Sequence, residues 1–371
     1  MSLTFGFVKE TAKGECRVAM TPEGIGKLLK SYPDAKAVIQ KGAGEGADFS
    51  DDAYKKAGAI LVASADDIYA TSDIVARVTP PAMGVAAQMK KGALLLGNLD
   101  PFNSTKLFAA LAKNKVNALS MERIPRTSRA QAMDTLSSQA SLAGYRAVIE
   151  ASSLYKGYFP LMMTSAGSSR PANVIVLGVG VAGLQAIATA RRLGAAVQAF
   201  DVRPEVKEQV ESLGAKFIDI DLGEDGSGEG GYAKELSADA KAKQQAALQE
   251  VLKKADVVVT TALIPGREAP ELITEDTVKG MKDGSIIVDM AAAAGGNCKL
   301  TEANKIVIRH GVSLVGHTNY PSMAATDASH FYAGNVLNLM ALLVKDGRLV
   351  YDREDDIVDA ALSVFEGKVE S

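Results

Sequence analysis

Short runs of apolar, β-branched residues alternate along the chain with longer segments of helical periodicity. In the first block, strand candidates are residues 4–8, 35–40, 59–63, 74–78, 93–99 and 116–120. The segments between them, such as residues 51–57 and 104–113, are helix candidates. Thr21 and Pro22 supply an N-cap and a first-turn proline to one such helix. Strands that alternate with helices predict an α/β fold whose parallel sheet has helical crossovers.

A second block of the same kind begins near Gly157, after a long helical pattern over residues 138–155. Its strand candidates are residues 173–177, 196–200, 216–220, 257–261, 285–289 and 305–315. A last helical pattern, over residues 333–345, is too short for a third domain, so we expect it to pack back onto the first block. The sequence therefore predicts a discontinuous first domain, residues 1–137 plus 325–371, and a second domain, residues 138–324.

Residues 173–201 read as strand, glycine turn, helix and strand. Gly178, Gly180 and Gly183 have the G-x-G-x-x-G spacing, which allows a tight turn, close approach of a pyrophosphate, and packing of helix on strand. The first helical residues, Val181 and Ala182, would offer free N–H groups to the phosphates. A glycine-rich turn without a ligand is the alternative, but the flanking strand and helix favour a dinucleotide.

Asp201 ends the second strand, roughly 20 residues after the turn, where a carboxylate holds a ribose 2′-hydroxyl. A 2′-phosphate would be repelled there, so Asp201 favours NAD(H). Arg203 weakens that inference slightly, because it can stack on the adenine or pair with a phosphate.

Composition narrows the function classes further. The 371 residues are 47% hydrophobic and 23% charged with a net charge of −3, which gives no electrostatic case for binding nucleic acid. The absence of an apolar run of 18 residues predicts a chain without a membrane span. Cys16 and Cys298 match no metal or redox spacing, and the three histidines are not clustered, so no metal site is predicted.

Residues 222–231, LGEDGSGEGG, are glycine-rich and acidic, which predicts a mobile loop over residues 222–240. One interpretation is a surface insertion. The other is a lid that carries Tyr232 toward the cofactor.

Several motifs resemble a known family. ECRVAMTP at residues 15–22, the glycine turn and GGNC at residues 295–298 are similar to the alanine dehydrogenase and transhydrogenase superfamily. RAQAMDTLSSQASLAGYRAV at residues 129–148, GGYAKE and TTALIPG more closely resemble the NAD(H)-binding components (domain I, or α1 subunits) of proton-translocating NAD(P) transhydrogenases. The resemblance covers essentially the whole chain. It implies two Rossmann-like, doubly wound domains with parallel sheets and a cleft between them.

The resemblance also implies a division of labour. A chain of this kind binds NAD(H) as a homodimer, and hydride passes directly to NADP⁺ on an NADP(H)-binding subunit. A membrane subunit conducts the protons. The chain would then be cytoplasmic and peripheral to the inner membrane through its partners, active only with them, and we expect the membrane helices on a separate polypeptide.

The family's site residues carry over by motif. The resemblance implies that four residues orient the nicotinamide end for hydride transfer: Arg126, Gln131, Asp134 and Ser137. Gln131 would pair its amide with the carboxamide, and Asp134 would hold Arg126 or bond the carboxamide. Ser137 would bond the ribose or the carboxamide.

Further residues match the rest of the cofactor site. The resemblance places Asp201, Val202 and Arg203 around the adenosine, Gly231 and Gln244 at the edge of the site, Leu263 over the cofactor and Tyr232 at the loop tip. Plain burial in the core is the alternative for Leu263.

Two other functions stay open. An alanine dehydrogenase-like enzyme needs an arginine, a lysine and a histidine in the first domain. Arg17 is present, but residues 76–80 (ARVTP) contain no lysine and residues 99–100 (LD) no histidine. A regulatory NAD-sensing module without turnover is the second alternative.

Overall fold

Two sheets of mixed direction organise the chain. The computed structural model describes residues 2–220, 238–264 and 266–370. The chain divides into two units, the first formed by Met1–Gln139 and Pro321–Ser371 and the second by Ala140–Tyr320. None of the helices in the described residues is long and apolar enough to cross a membrane.

The described helices are α1 (Pro22–Ser31), α2 (Asp51–Lys56), α3 (Ala65–Thr71), α4 (Thr105–Lys113), α5 (Thr135–Leu154), α6 (Val181–Arg192), α7 (Lys207–Ser212), α8 (Ala238–Leu252), α9 (Glu275–Gly280), α10 (Ala325–Leu343) and α11 (Asp356–Ala361). The described strands are β1 (Thr4–Phe7), β2 (Lys36–Gln40), β3 (Ile60–Val62), β4 (Ile74–Arg77), β5 (Leu94–Gly97), β6 (Asn117–Ser120), β7 (Met162–Thr164), β8 (Gly167–Ser169), β9 (Asn173–Leu177), β10 (Ala196–Phe200), β11 (Lys216–Phe217), β12 (Val257–Thr260), β13 (Ile286–Asp289), β14 (Ile306–Arg309), β15 (Val312–Val315), β16 (Val344–Lys345), β17 (Arg348–Leu349), β18 (Leu362–Phe365) and β19 (Lys368–Val369).

The first unit contains a sheet with the strand order β3-β2-β1-β4-β5-β6-β18-β19. Strands β1 to β6 are parallel, and β18 and β19 add an antiparallel edge. Successive residues point to opposite faces, so Ile74 and Ala76 pack in one buried cluster and Val75 in another. Both faces are covered, as a parallel sheet requires.

The second unit repeats the order in β11-β10-β9-β12-β13-β15-β14. Strand β9 lies between β10 and β12, and its residues 174–177 are buried. Helix α6 follows it and ends just before Gly194, which has a φ of 87° beyond the C-cap residue Leu193. The reversal of strand order beside β9 is the topological switch point of a doubly wound sheet. The predicted α/β fold is therefore confirmed.

Some predicted elements are wrong in detail. Residues 305–315 are not one strand but two antiparallel strands, β14 and β15. His310 (φ 50°) and Gly311 (φ 78°) both take left-handed conformations, which is the backbone of a two-residue hairpin turn. Helix α10 begins at Ala325, eight residues before the predicted pattern. The exposed hairpin of β7 and β8 was not predicted, because its three-residue strands show no periodicity.

A buried carboxylate ties several segments of the second unit together. Asp256, just before β12, accepts two hydrogen bonds from Arg170 (both 2.7 Å), one from Lys282 Nζ (2.9 Å) and one from the backbone N–H of Asn173 (2.8 Å). Burial opposes ionisation of Asp256, but the hydrogen bonds from Arg170, Asn173 and Lys282 outweigh it and lower the pKa of Asp256 to about 2. The ionised group thus stabilises the fold.

We predict that Asp256→Asn lowers the free energy of unfolding by about 2 kcal/mol at pH 7. The folded pKa lies below the ordinary value of 3.8, so this stabilisation is present above pH 4 and is lost as the pH falls through the folded value. The free energies of unfolding of the variant and the unmodified chain are measured by urea unfolding, monitored by circular dichroism. The difference between them should shrink to about half near pH 3. Exposed Asp276→Asn is the control, with an effect below about 0.5 kcal/mol; a pH-independent difference for Asp256→Asn would contradict the prediction.

Candidate functional site

The turn after β9 is built from glycines with different steric demands. Gly178 has a φ of 91°, and a Cβ there would meet the hydroxyl of Thr261. A Cβ on Gly183 would overlap the carbonyl oxygen of Gly178, so α6 packs on the turn backbone to backbone. A Cβ on Gly180 would meet nothing within 4 Å. The turn is therefore tight on one side and open at Gly180.

The open side of the turn carries the N-terminus of α6. Gly180 is the N-cap residue and is exposed with Val181, while Ala182 is half-buried. The first N–H groups of a helix have no partner within the helix, and its N-terminus carries a partial positive charge. Thr261, after the neighbouring β12, donates its hydroxyl to the carbonyl oxygen of Gly178 (3.0 Å) and fixes the turn at the switch point. This geometry suits a pyrophosphate.

Asp201 lies beside the turn. Its carboxylate accepts hydrogen bonds from the backbone N–H of Val179 (2.7 Å) and from the backbone and side chain of Arg203 (2.9 to 3.1 Å). Burial opposes ionisation, but the bonds from Arg203 and Val179 prevail and hold the pKa of Asp201 below its usual value. Arg203 thus occupies the oxygens that a ribose hydroxyl would use, and a bound nucleotide has to displace part of this pairing.

The loop after β12 carries Leu263. The side chain of Leu263 is 53% exposed, so burial in the core does not explain it. Asn297 holds this loop by donating its amide to the carbonyl oxygens of Ala262 and Pro270 (both 2.9 Å). Asn297 is in turn fixed by fully buried Asp289, which accepts from its backbone N–H (3.1 Å). Sequence reasoning missed both polar residues, because no local pattern shows what they hold.

Of the other predicted residues of this site, two are described by the structure and two are not. Val202 is exposed beside Asp201, and Gln244 is half-buried on α8. Gly231, Tyr232 and most of the predicted mobile loop lie outside the described residues.

The first unit holds the predicted nicotinamide-end residues on one short segment. Arg126 and Gln131 are exposed, and their side chains have no hydrogen-bonding partner in the described part of the chain. Asp134 is not paired with Arg126. Its carboxylate accepts from the backbone N–H (2.9 Å) and the hydroxyl (2.5 Å) of Ser137, so that it caps α5. The segment therefore presents one free guanidinium and one free amide.

The switch point of the first unit differs from that of the second. Glu10, after β1, is buried and accepts from the backbone N–H of Val78 (2.6 Å) and from Arg77 (2.8 Å). A fixed carboxylate satisfies the donors there and would repel a phosphate. The first block also contains no G-x-G-x-x-G spacing, so its sheet need not hold a nucleotide.

A glycine that sequence reasoning overlooked lies inside α5. A Cβ on Gly144 would overlap the backbone of Ala182, in the first turn of α6, so the two helices meet backbone to backbone. Glycine weakens a helix interior by about 0.5–1 kcal/mol relative to alanine. An isolated glycine in a long helical pattern was the available signal for this close packing.

Comparison with known proteins covers the whole chain. Residues 6–143 match the family described as alanine dehydrogenase/PNT, N-terminal domain, and residues 147–371 match its C-terminal domain. A relative from Rhodospirillum rubrum, named as the first part of NAD(P) transhydrogenase subunit alpha, is 48% identical, across 97% of this chain and 96% of that protein. The NAD(P) transhydrogenase subunit alpha of Cereibacter sphaeroides is 44% identical, across 99% of this chain and 71% of that protein.

A solved structure agrees with these relatives. The crystal structure of transhydrogenase from Sinorhizobium meliloti superposes with a TM-score of 0.86 at 39% identity, across 99% of this chain and 98% of that chain. The resemblance read from the motifs is confirmed.

We predict that Gly144→Ala weakens dinucleotide binding at least about tenfold, because the added methyl group must push the first turn of α6 away from its position. Titration with NADH, followed by fluorescence, measures the affinity. Gly26→Ala is a matched control: it also adds a methyl group to a helix, α1, but into open space. Equal affinities for the two variants would contradict the assigned role of Gly144.

Proposed function

The chain belongs to the alanine dehydrogenase/PNT family, and we propose that it is the NAD(H)-binding subunit of a proton-translocating NAD(P)⁺ transhydrogenase. The reaction is direct hydride transfer from NADH to NADP⁺ held by a partner subunit. The observation that carries the proposal is the chemistry of the segment from Arg126 to Ser137. Among the described residues its amide and one guanidinium have no hydrogen-bonding partner, and its one carboxylate caps α5. Such groups orient a nicotinamide without acid–base chemistry.

The second unit supports the cofactor assignment. The turn fits a dinucleotide, because the space at Gly180 is open, and the tight turn needs glycine at Gly178 and Gly183, where a side chain would clash with Thr261 or with the carbonyl oxygen of Gly178. The N–H groups of Val181 and Ala182 would receive the pyrophosphate. Asp201 would bond the adenosine ribose and Arg203 would move aside toward the adenine.

The residues that extend the proposed site are exposed or half-buried, or they lie beyond the described residues. Val202 would contact the adenosine and Leu263 would cover the cofactor, which fits their exposure. Gln244 would edge the site. Gly231 and Tyr232, on the segment that the structure leaves undescribed, would complete it.

At the nicotinamide end, we assign orientation to the first unit. Gln131 would bond the carboxamide and fix which face of the ring is presented. Arg126 would bond the same end, and Ser137, whose hydroxyl donates to Asp134, would accept from the ribose or the carboxamide. The bound nicotinamide supplies the hydride itself. The chain's own task is to orient the NADH ring so that its reacting carbon comes to roughly 3–3.5 Å from the carbon of the NADP⁺ that the partner subunit would hold.

The proposal includes partners. A second soluble subunit would hold NADP(H), and a membrane subunit would conduct protons, leaving this chain cytoplasmic and peripheral to the inner membrane. One proton that crosses about 100 mV releases roughly 2.3 kcal/mol. This free energy changes the equilibrium ratio of reduced to oxidised NADP(H), relative to that of NAD(H), about fifty-fold. A homodimer is also proposed, and the hairpin of β7 and β8 supports it. Its residues Met162 and Met163 are exposed and apolar, as at a protein interface.

The amino-acid dehydrogenase alternative is less well supported. Arg17, which would bind a substrate carboxylate, is buried and already engaged by Glu15 and Gln139. Residues 76–80 and 99–100 supply neither the lysine nor the histidine of that chemistry. An NAD sensor without turnover is distinguished from our proposal by measuring hydride transfer with a partner subunit.

The proposed function predicts hydride transfer only in a mixture. The purified chain and an NADP(H)-binding subunit of the same family are combined with NADH and an NADP⁺ analogue whose reduction is followed by absorbance. We expect rapid exchange in the mixture and none with either component alone. Absence of exchange with a partner that is active with another family member would favour the sensor. Oxidation of NADH by the isolated chain with pyruvate and ammonia would favour the dehydrogenase.

We predict that Gln131→Asn slows hydride transfer about tenfold while the dissociation constant for NADH changes less than about twofold, because the shorter side chain orients the ring poorly. Single-turnover transfer and a separate NADH titration measure the two quantities. Gln88→Asn, at an exposed glutamine after β4, is the control and should leave both unchanged. A pure loss of affinity at an unchanged maximal rate would count against the role of Gln131.

A further inference from the structure

A chain of hydrogen bonds runs through the first unit and begins at a buried arginine. Arg17 donates from Nε (2.8 Å) and one terminal nitrogen (2.6 Å) to the two carboxylate oxygens of Glu15. Its other terminal nitrogen donates to the amide oxygen of Gln139 (2.9 Å). Glu15 also accepts from the hydroxyl of Ser322 (2.6 Å). The guanidinium fork of Arg17 is thus occupied by groups of the chain itself.

The chain of hydrogen bonds continues from Gln139 to a backbone carbonyl. The amide nitrogen of Gln139 donates to the carbonyl oxygen of Ala328 (3.1 Å) and to the hydroxyl of Ser138 (3.3 Å). That hydroxyl donates to the amide oxygen of Asn335 on α10 (2.7 Å). The amide nitrogen of Asn335 then donates to the carbonyl oxygen of Ala132 (2.8 Å).

The arginine sets the direction of every bond in this chain. A guanidinium has donors only, so Gln139 must turn its oxygen toward Arg17 and its nitrogen toward Ser138. Ser138 has a single hydroxyl proton, and Asn335 accepts it at a shorter distance (2.7 Å) than the carbonyl oxygen of Thr135 does (3.3 Å). Asn335 is left with its nitrogen facing Ala132. Reversal of any one amide would place two acceptors or two donors face to face.

The far end of the chain lies next to Gln131. Ala130 is fully buried and Met133 is 7% exposed, so the exposed residues Gln131 and Ala132 lie between two residues that are packed in the core. Asn338, one turn after Asn335 on α10, donates to the same carbonyl of Ala132 (3.2 Å) but is exposed. Asn335 is buried and is connected to Arg17 through the hydrogen bonds above. In the described part of the chain, the other hydrogen bond of the Asn338 side chain goes to the carbonyl oxygen of Gly334 (2.9 Å), within the same helix.

We propose that Arg17 is a positioning residue that, through Gln139, Ser138 and Asn335, fixes the carbonyl of Ala132 and thereby the direction of the Gln131 side chain. The arginine that would bind a substrate carboxylate in a dehydrogenase is paired instead with Glu15 of the same chain. The consequence for hydride transfer rests on the proposed function. The structural consequence, an ordered segment over residues 125–134, does not depend on it.

The test breaks the chain of hydrogen bonds at two places. Asn335→Ala removes the amide that donates to the carbonyl oxygen of Ala132. Ser138→Ala removes the hydroxyl that donates to Asn335, and alanine is a good helix former at this position in α5. Asn338→Ala is the matched control on α10. Amide hydrogen exchange in residues 125–134, followed by mass spectrometry, measures order in the segment. NADH affinity and single-turnover hydride transfer with the partner subunit are measured on the same proteins.

We expect Asn335→Ala and Ser138→Ala to speed exchange in this segment about tenfold and to slow hydride transfer about tenfold, with NADH affinity within about twofold. Asn338→Ala should stay within about twofold in all three measurements. Unchanged exchange in both test variants would overturn the proposal, as would faster exchange with unchanged transfer. If exchange rises but the unmodified chain transfers no hydride, the proposed function fails and the positioning role stands.

Discussion

The second unit depends on places where backbone meets backbone with no room for a side chain. Gly183 packs on the carbonyl of Gly178, and Gly144 brings α5 onto the backbone of Ala182. Contacts of this kind cannot adjust by a change of rotamer, so β9, α5 and α6 are held in one arrangement around the turn. The N–H groups at the start of α6 are therefore presented at fixed positions. A preformed anion site needs this rigidity more than it needs any single polar side chain.

Local patterns predicted the parts of the fold whose cause is local. Strand β9 lies where it was predicted, because a buried strand leaves a signature of apolar residues in adjacent positions. The turn at His310 was missed, since histidine is an unusual left-handed residue and the flanking strands read as one apolar run. The contacts of Asn297 and Asn335 could not be predicted, and the isolated glycine at Gly144 signalled close packing but not its partner. Each acts on a segment distant in sequence, and only the packed structure shows which carbonyl or helix it meets. Motif resemblance supplied Gln131 and Asp134, but not that Asp134 is bonded to Ser137.

The two sheets share one strand order and use it differently. In the second unit the switch point carries glycines and an open helix N-terminus, which attract a phosphate. In the first unit the same point carries the carboxylate of Glu10, already bonded to Arg77 and Val78. In our proposal the first unit contributes through a surface segment whose backbone is held by Asn335, and the side chain of Gln131 has no hydrogen-bonding partner among the described residues. The two proposed tasks, holding the nucleotide and orienting its reactive ring, depend on the positions of groups rather than on acid–base chemistry.

The most direct measurement is a calorimetric titration of the purified chain with NADH and, separately, with NADPH. The account predicts saturable binding of NADH, with NADPH at least about tenfold weaker, because a 2′-phosphate would face the ionised carboxylate of Asp201. Equal or tighter binding of NADPH, or no binding of NADH, would contradict the claim that this chain holds the NAD(H) side of the reaction.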